Sequence, residues 1–194
     1  MGTIYSSWIT YSGARFRTFL SCSETDSNTA HSVSYSCGIQ GYLTSSGPST
    51  GLRVGVKASA TGASDTAWHY INISNSTLNH YVAYSSLNPL SWDKTKTTQT
   101  KTLSIISTAP ISRLTQTITV PALPHWSITY NANSGSGAPA TLTKWYNEQL
   151  KLSSVKPTKS GYTFRGWATS QANASNGSPS NAYGPGAIIT ANTN

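Results

Sequence analysis

Acidic residues are nearly missing from this chain: Glu24, Asp26, Asp65, Asp93 and Glu148 are the only carboxylates in 194 residues. Chemistry that needs a pair of placed carboxylates, such as glycoside hydrolysis, therefore has few candidates. Charged residues are 9% of the chain, with two cysteines, three phenylalanines and one methionine. No apolar run approaches the roughly 18 to 20 residues of a membrane-spanning helix, so no membrane span is expected. The chain has instead 59 serines and threonines, 11 tyrosines and 6 tryptophans. Its apolar residues fall at alternating positions among them, the pattern of half-buried strands rather than of a disordered chain.

The formal charge of +8 raises the question of an anionic partner. Residues 1–125 and 126–194 each carry +4, and neither contains a dense basic block, so no nucleic-acid partner is expected. Lys94, Lys96 and Lys101 come closest, and lysines on a Thr-rich strand are expected to keep a sheet edge from pairing with a stranger. The start, Met1-Gly-Thr-Ile-Tyr-Ser-Ser-Trp8, has neither the basic nor the apolar region of a secretory signal, so assembly in the cytoplasm is the expectation. Sequons at Asn72, Asn75, Asn173 and Asn176 arise by chance in so Asn- and Ser-rich a chain.

Phe16, Thr18, Leu20 and Cys22 share one face of a strand over residues 15–23, and Val33, Tyr35, Cys37 and Ile39 do so over 31–40. Leu52, Val54, Val56, Ala58 and Ala60 alternate with Arg53, Gly55 and Lys57. Further strands are expected over 4–11, 67–73, 100–107 and 113–120. Turn residues separate them, as at Asp26-Ser-Asn28, Ser45-Ser-Gly-Pro48 and Asn88-Pro89. About seven short strands of this kind predict an all-β fold, an immunoglobulin- or fibronectin-like β-sandwich over residues 1–120. Pro121 and Pro124 mark a stiff linker over 121–125. A second module over 126–194 has strands expected at 126–131, 141–146, 162–169 and 187–190. No convincing helix is present; 147–155 is the best candidate.

Four stretches of that module belong together: Ile128-Thr-Tyr-Asn-Ala-Asn-Ser-Gly-Ser-Gly-Ala-Pro139, Thr143-Lys-Trp-Tyr146, Leu152-Ser-Ser-Val-Lys-Pro-Thr-Lys-Ser-Gly-Tyr-Thr-Phe-Arg-Gly-Trp167 and Tyr183-Gly-Pro-Gly186. The module resembles the Listeria-Bacteroides, or internalin-type B, repeat. The resemblance implies a small β-grasp-like unit, used as spacer or adhesive element in cell-surface and phage structural proteins, without enzymatic activity. Tyr162, Phe164 and Trp167 are expected in its core. Such repeats close with a strand of the type aliphatic-Thr-Leu-Tyr-Ala-x-Trp, which does not occur before Asn194, so the unit is expected to lack its last strand. More loosely, the first 124 residues resemble the Thr-rich sandwich that precedes this repeat in phage virion proteins, through Thr98-Gln-Thr-Lys-Thr-Leu103 and Thr117-Ile-Thr-Val-Pro-Ala-Leu123.

No catalytic residues are assigned. Gly135-Ser-Gly137 lies in a loop, outside the strand-to-helix setting of a nucleophile elbow. Glu24 and Asp26 share a turn, where solvation explains them. His69 and His80 lack neighbouring Cys or clustered carboxylates, so no metal and no cofactor is expected. With a hairpin turning near Ser27, Cys37 lies opposite Thr18 and about 13 Å from Cys22 at strand rise, beyond disulfide reach. Trp145 and Trp167 match the repeat's own pattern and are assigned to packing. Trp92, beside Asp93 and after Asn88-Pro89, is the candidate for an exposed loop and a glycan contact. These expectations describe a non-enzymatic phage virion structural protein, tail-associated or a capsid decoration. Its partners would be other virion proteins, copies of itself and a host cell-surface glycan. The alternative is a fragment of a bacterial cell-surface adhesin or carbohydrate-binding module.

Overall fold

The computed structural model describes residues 2–11, 14–43, 52–60, 63–64, 68–73, 80–85, 89–108, 113–175 and 182–192. They divide into two compact units, Met1–Ala122 and Leu123–Asn194.

In the first unit Thr3–Tyr5 (β1) and Ile9–Tyr11 (β2) lie along one flank of Ala14–Asp26 (β3). The single strand expected over 4–11 is thus broken. Ser6 fills the gap: its N–H donates to Thr18 O at 2.9 Å and its Oγ accepts from Thr18 N at 3.0 Å. Next come Ala30–Leu43 (β4), Leu52–Ala60 (β5), Ala63–Ser64 (β6), His69–Ile73 (β7), His80–Ser85 (β8), Leu90–Asp93 (β9), Gln99–Ser107 (β10) and Leu114–Val120 (β11). Among the described residues one sheet runs β1-β3-β4-β8, with β2 on β3 and β9 on β4. The other runs β11-β10-β5-β6, with β7 on β5. All of these pairs are antiparallel.

The core joins both sheets: Phe16, Leu20, Cys22, Val33, Tyr35, Cys37 and Ile39 from one, Val56, Leu103, Ile105, Ile118 and Val120 from the other. The members on β3, β4, β5 and β11 lie on the parity that alternation assigns inward, because successive side chains of a strand leave opposite faces; Trp92 of β9 is a further member, which alternation did not place there. These contacts make an all-β sandwich, without establishing an immunoglobulin-type strand order. The β3–β4 hairpin differs from expectation in register. Asp26 pairs with His31 and Leu20 with Cys37, two residues from the expected alignment, and an even slip preserves the inward faces. Cys22, opposite Tyr35, is therefore a diagonal neighbour of Cys37; both are buried thiols outside any disulfide.

The second unit pairs His125–Ile128 (β12) with Leu142–Trp145 (β13). Leu150–Lys151 (β14), Trp167–Ala168 (β15), the helix Gln171–Ser175 (α1), Ala182–Tyr183 (β16) and Ile188–Ile189 (β17) follow, with β14 on β17 and β15 on β16. Tyr130, Leu152 and Trp167 form its core, with Ile128, Leu142, Phe164 and Ile189 packed against them. Two expectations are corrected here. The helix candidate over 147–155 contains β14 instead, and the long strand over 162–169 is reduced to β15. Gly166, at φ of +157°, breaks that run, and Gly161, at +76°, turns the chain just before it.

Candidate functional site

Trp92 is not in an exposed loop. It lies on β9 opposite His31, is 8% exposed and packs in the sandwich core, so its ring has no free face for a sugar. Trp167 is buried, 4.6 Å from Tyr130 between ring centres and edge-on to Phe164 at 4.9 Å. Trp145 is half-buried on the outer side of β13, 4.6 Å from the His125 ring. The accessible aromatics are others. Trp68 and Tyr70 are 39% and 45% exposed, and both rings lean on Gly55, where an added Cβ would meet them at 3.2 and 3.0 Å.

Glu24 and Asp26 of the first unit also have partners beyond the turn in which the sequence sets them. Buried His31 places Nδ1 3.1 Å from Asp26 Oδ1 and Nε2 3.0 Å from Glu24 Oε2, the latter without hydrogen-bond alignment. Lys94, read from sequence as an edge lysine, is 8% exposed, and its Nζ donates to Asp26 Oδ2 at 2.7 Å. That ammonium holds the Asp26 carboxyl below the usual carboxylate range, assisted by the His31 hydrogen bond. The cluster ties β3, β4 and the segment after β9 together. The side chains of His69 and His80 lie outside the described residues, and among those described no three His, Cys, Asp or Glu are grouped as metal ligands.

An open cleft of about 600 Å³ lies in the second unit, formed by residues 156–160 and 162–164 with Ser136. Its frame joins two segments of the unit that lie 22 residues apart. Ser136 and Thr158 exchange backbone hydrogen bonds of 2.8 and 2.9 Å, and their hydroxyls meet at 3.1 Å. Gly135 is required beside them, because a Cβ there would sit 2.5 Å from Thr158 O. Gly161, in the left-handed region, turns the chain tightly enough for Tyr162 N to donate to Lys159 O at 3.1 Å. Tyr162 is thereby directed outward, 71% exposed, with Lys159 Nζ 4.6 Å from its ring centre. This corrects the expectation of a core position for Tyr162; Phe164 and Trp167 do pack.

Glycine-dictated turns thus frame an aromatic core at Tyr130, Phe164 and Trp167, across one continuous stretch of sequence. Residues 126–191 match the Listeria-Bacteroides repeat domain. The repeat spans the whole cleft, including Gly135, the Ser136–Thr158 bridge and Tyr162. Repeats of this family occur in surface and adhesion-type proteins. No curated protein and no solved structure matches the chain. No helix among the described residues is long and apolar enough to cross a membrane.

Proposed function

We propose that this protein is a non-enzymatic structural protein that displays its Listeria-Bacteroides repeat at a surface, and that this surface is the exterior of a phage particle. The observation that carries the reading is the match of residues 126–191 to a repeat of surface and adhesion-type proteins, joined to an all-β sandwich. The buried thiols of Cys22 and Cys37, which form no disulfide, favour folding in a reducing compartment, as for a particle assembled inside its host. In this role the sandwich docks on other virion proteins and on copies of itself, and weak contacts of the repeat are multiplied by copy number.

The second reading is a bacterial cell-surface adhesin, favoured by the repeat alone. Quantitative mass spectrometry of purified particles and of host cell-wall fractions separates the two. Many copies per particle are the expected result. Recovery in the wall fraction, with none in particles, overturns the virion role in favour of the adhesin.

A further inference from the structure

We propose that the cleft around Tyr162 binds an anionic carbohydrate polymer, one whose sugar rings carry carboxylate or phosphate groups. The inference deepens the reading of the repeat as a displayed adhesive unit by naming what it holds.

Tyr162 is the first ground. Tyrosines are ordinarily intermediate in burial, and Tyr162 is more exposed than Tyr5, Tyr70 or Tyr183. Here the two glycine-framed turns keep it 71% exposed, flanked by Phe164 in the cleft wall. An exposed ring at the edge of a concavity, with Lys159 Nζ 4.6 Å from its centre on one side, leaves its other face as the platform on which the C–H face of a sugar ring stacks. Hydroxyls of Ser136, Thr158, Ser160 and Thr163 line the same cleft and suit the donor and acceptor pattern of sugar hydroxyls.

Charge supplies the second ground. Lys156 and Lys159 line the cleft and no acidic residue does; the one carboxylate of residues 126–194, Glu148, lies outside its lining. Lys159 is held in place by Asn133 O at 3.1 Å and by the Tyr162 ring, interactions that leave its positive charge uncompensated. A neutral glycan would use the ring and the hydroxyls alone. A polyanion without sugar rings would use the lysines alone. The combination selects a ligand with both features.

The test is calorimetric titration of the 194-residue chain with four probes: polygalacturonate, a poly(glycosyl phosphate), neutral dextran and inorganic polyphosphate. Binding to the first, the second or both is expected, and which of them binds distinguishes carboxylate from phosphate. Tyr162→Ala is expected to weaken that binding about tenfold, the size of one lost aromatic contact. The double variant Lys156→Gln/Lys159→Gln is expected to abolish its dependence on salt. Tyr162 is exposed, so its variant should keep the wild-type melting temperature. Four results overturn the proposal: no binding to either charged glycan, equal binding to dextran, equal binding to polyphosphate with no effect of Tyr162→Ala, or loss of binding on Trp68→Ala instead. None of them touches the surface role, which is decided by where the protein is recovered.

Discussion

Lys94 Nζ lies 2.7 Å from Asp26 Oδ2, across 68 residues of sequence. The side chain of Lys94 is almost wholly buried and that of Asp26 half exposed, so the carboxylate acts as the solvent-facing cap on a buried cation. Asp26→Asn leaves that ammonium without a charged acceptor. The expected cost is about 1 to 2 kcal/mol, moderated by solvent at the exposed partner and read by urea unfolding. Lys94→Met should cost less, because it removes the buried charge together with the contact.

The same pair sets a pH dependence. Asp26 titrates below its ordinary value of 3.8 in the folded chain, chiefly through the Lys94 hydrogen bond. Unfolded chain therefore takes up a proton first as pH falls. The stabilisation is fully present above pH 3.8 and is lost as pH drops through the folded value. Wild type should lose more stability than Asp26→Asn between pH 5 and pH 2, on the order of that interval being set by the carboxylate range. Parallel curves for the two proteins would refute the assignment.

Burial raises the Cys22 thiol to about 11, with Glu24 nearby adding to the effect. Its thiolate is scarce at pH 8, and the ring of core side chains blocks reagents. Iodoacetamide at that pH should leave folded protein unmodified and label both cysteines after denaturation. The linked effect on stability has the opposite sign to that of Asp26. It is intact below the ordinary thiol value of 9.0 and disappears as pH rises toward 11.

In the repeat, Tyr130 is buried and its hydroxyl accepts from Ser153 N at 2.8 Å. Tyr130→Phe keeps the ring against Trp167 but leaves a half-buried amide without this acceptor. A loss of about 1 to 2 kcal/mol is expected, with faster hydrogen exchange at Ser153 as the residue-level check. An unchanged exchange rate would mean that the bond does not protect this amide.

On the outer side of β3, Arg17 lies over Tyr5 at 4.0 Å and Trp8 at 4.7 Å, measured to the ring centres, while its Nε donates to Gln40 Oε1 at 2.7 Å. This planar group fastens residues 3–8 to the sheet. Arg17→Lys retains charge but not the flat stack, at an expected cost of about 0.5 to 2 kcal/mol. Amide exchange at Ser6 should accelerate in the variant, since its bond to Thr18 O depends on that segment staying in place.

Strand faces were legible in the sequence because they depend on a period of two along one strand. Phe16, Leu20 and Cys22, or Ile118 and Val120, are assigned inward by their immediate neighbours alone. The repeat was legible for a related reason. Gly161, at its positive φ, answers the demand of its own turn, and the motif recurs as one string of residues; Gly135 answers Thr158 O, farther along the same repeat. What alternation could not supply was pairing across distance. The short β9 places Trp92 beside His31 in the core, and Lys94 beyond it reaches Asp26, through contacts that close long loops. Exposure of Trp68 and Tyr162 depends equally on what else covers each ring, which no neighbouring residue states. The sequence by itself determined an all-β chain, the inward faces of its strands and a recognisable repeat, all from local periodicity and turn chemistry. Tertiary structure alone decided which charges meet, the hairpin register and which aromatic rings stay on the surface, because each is a choice among partners far apart in the chain.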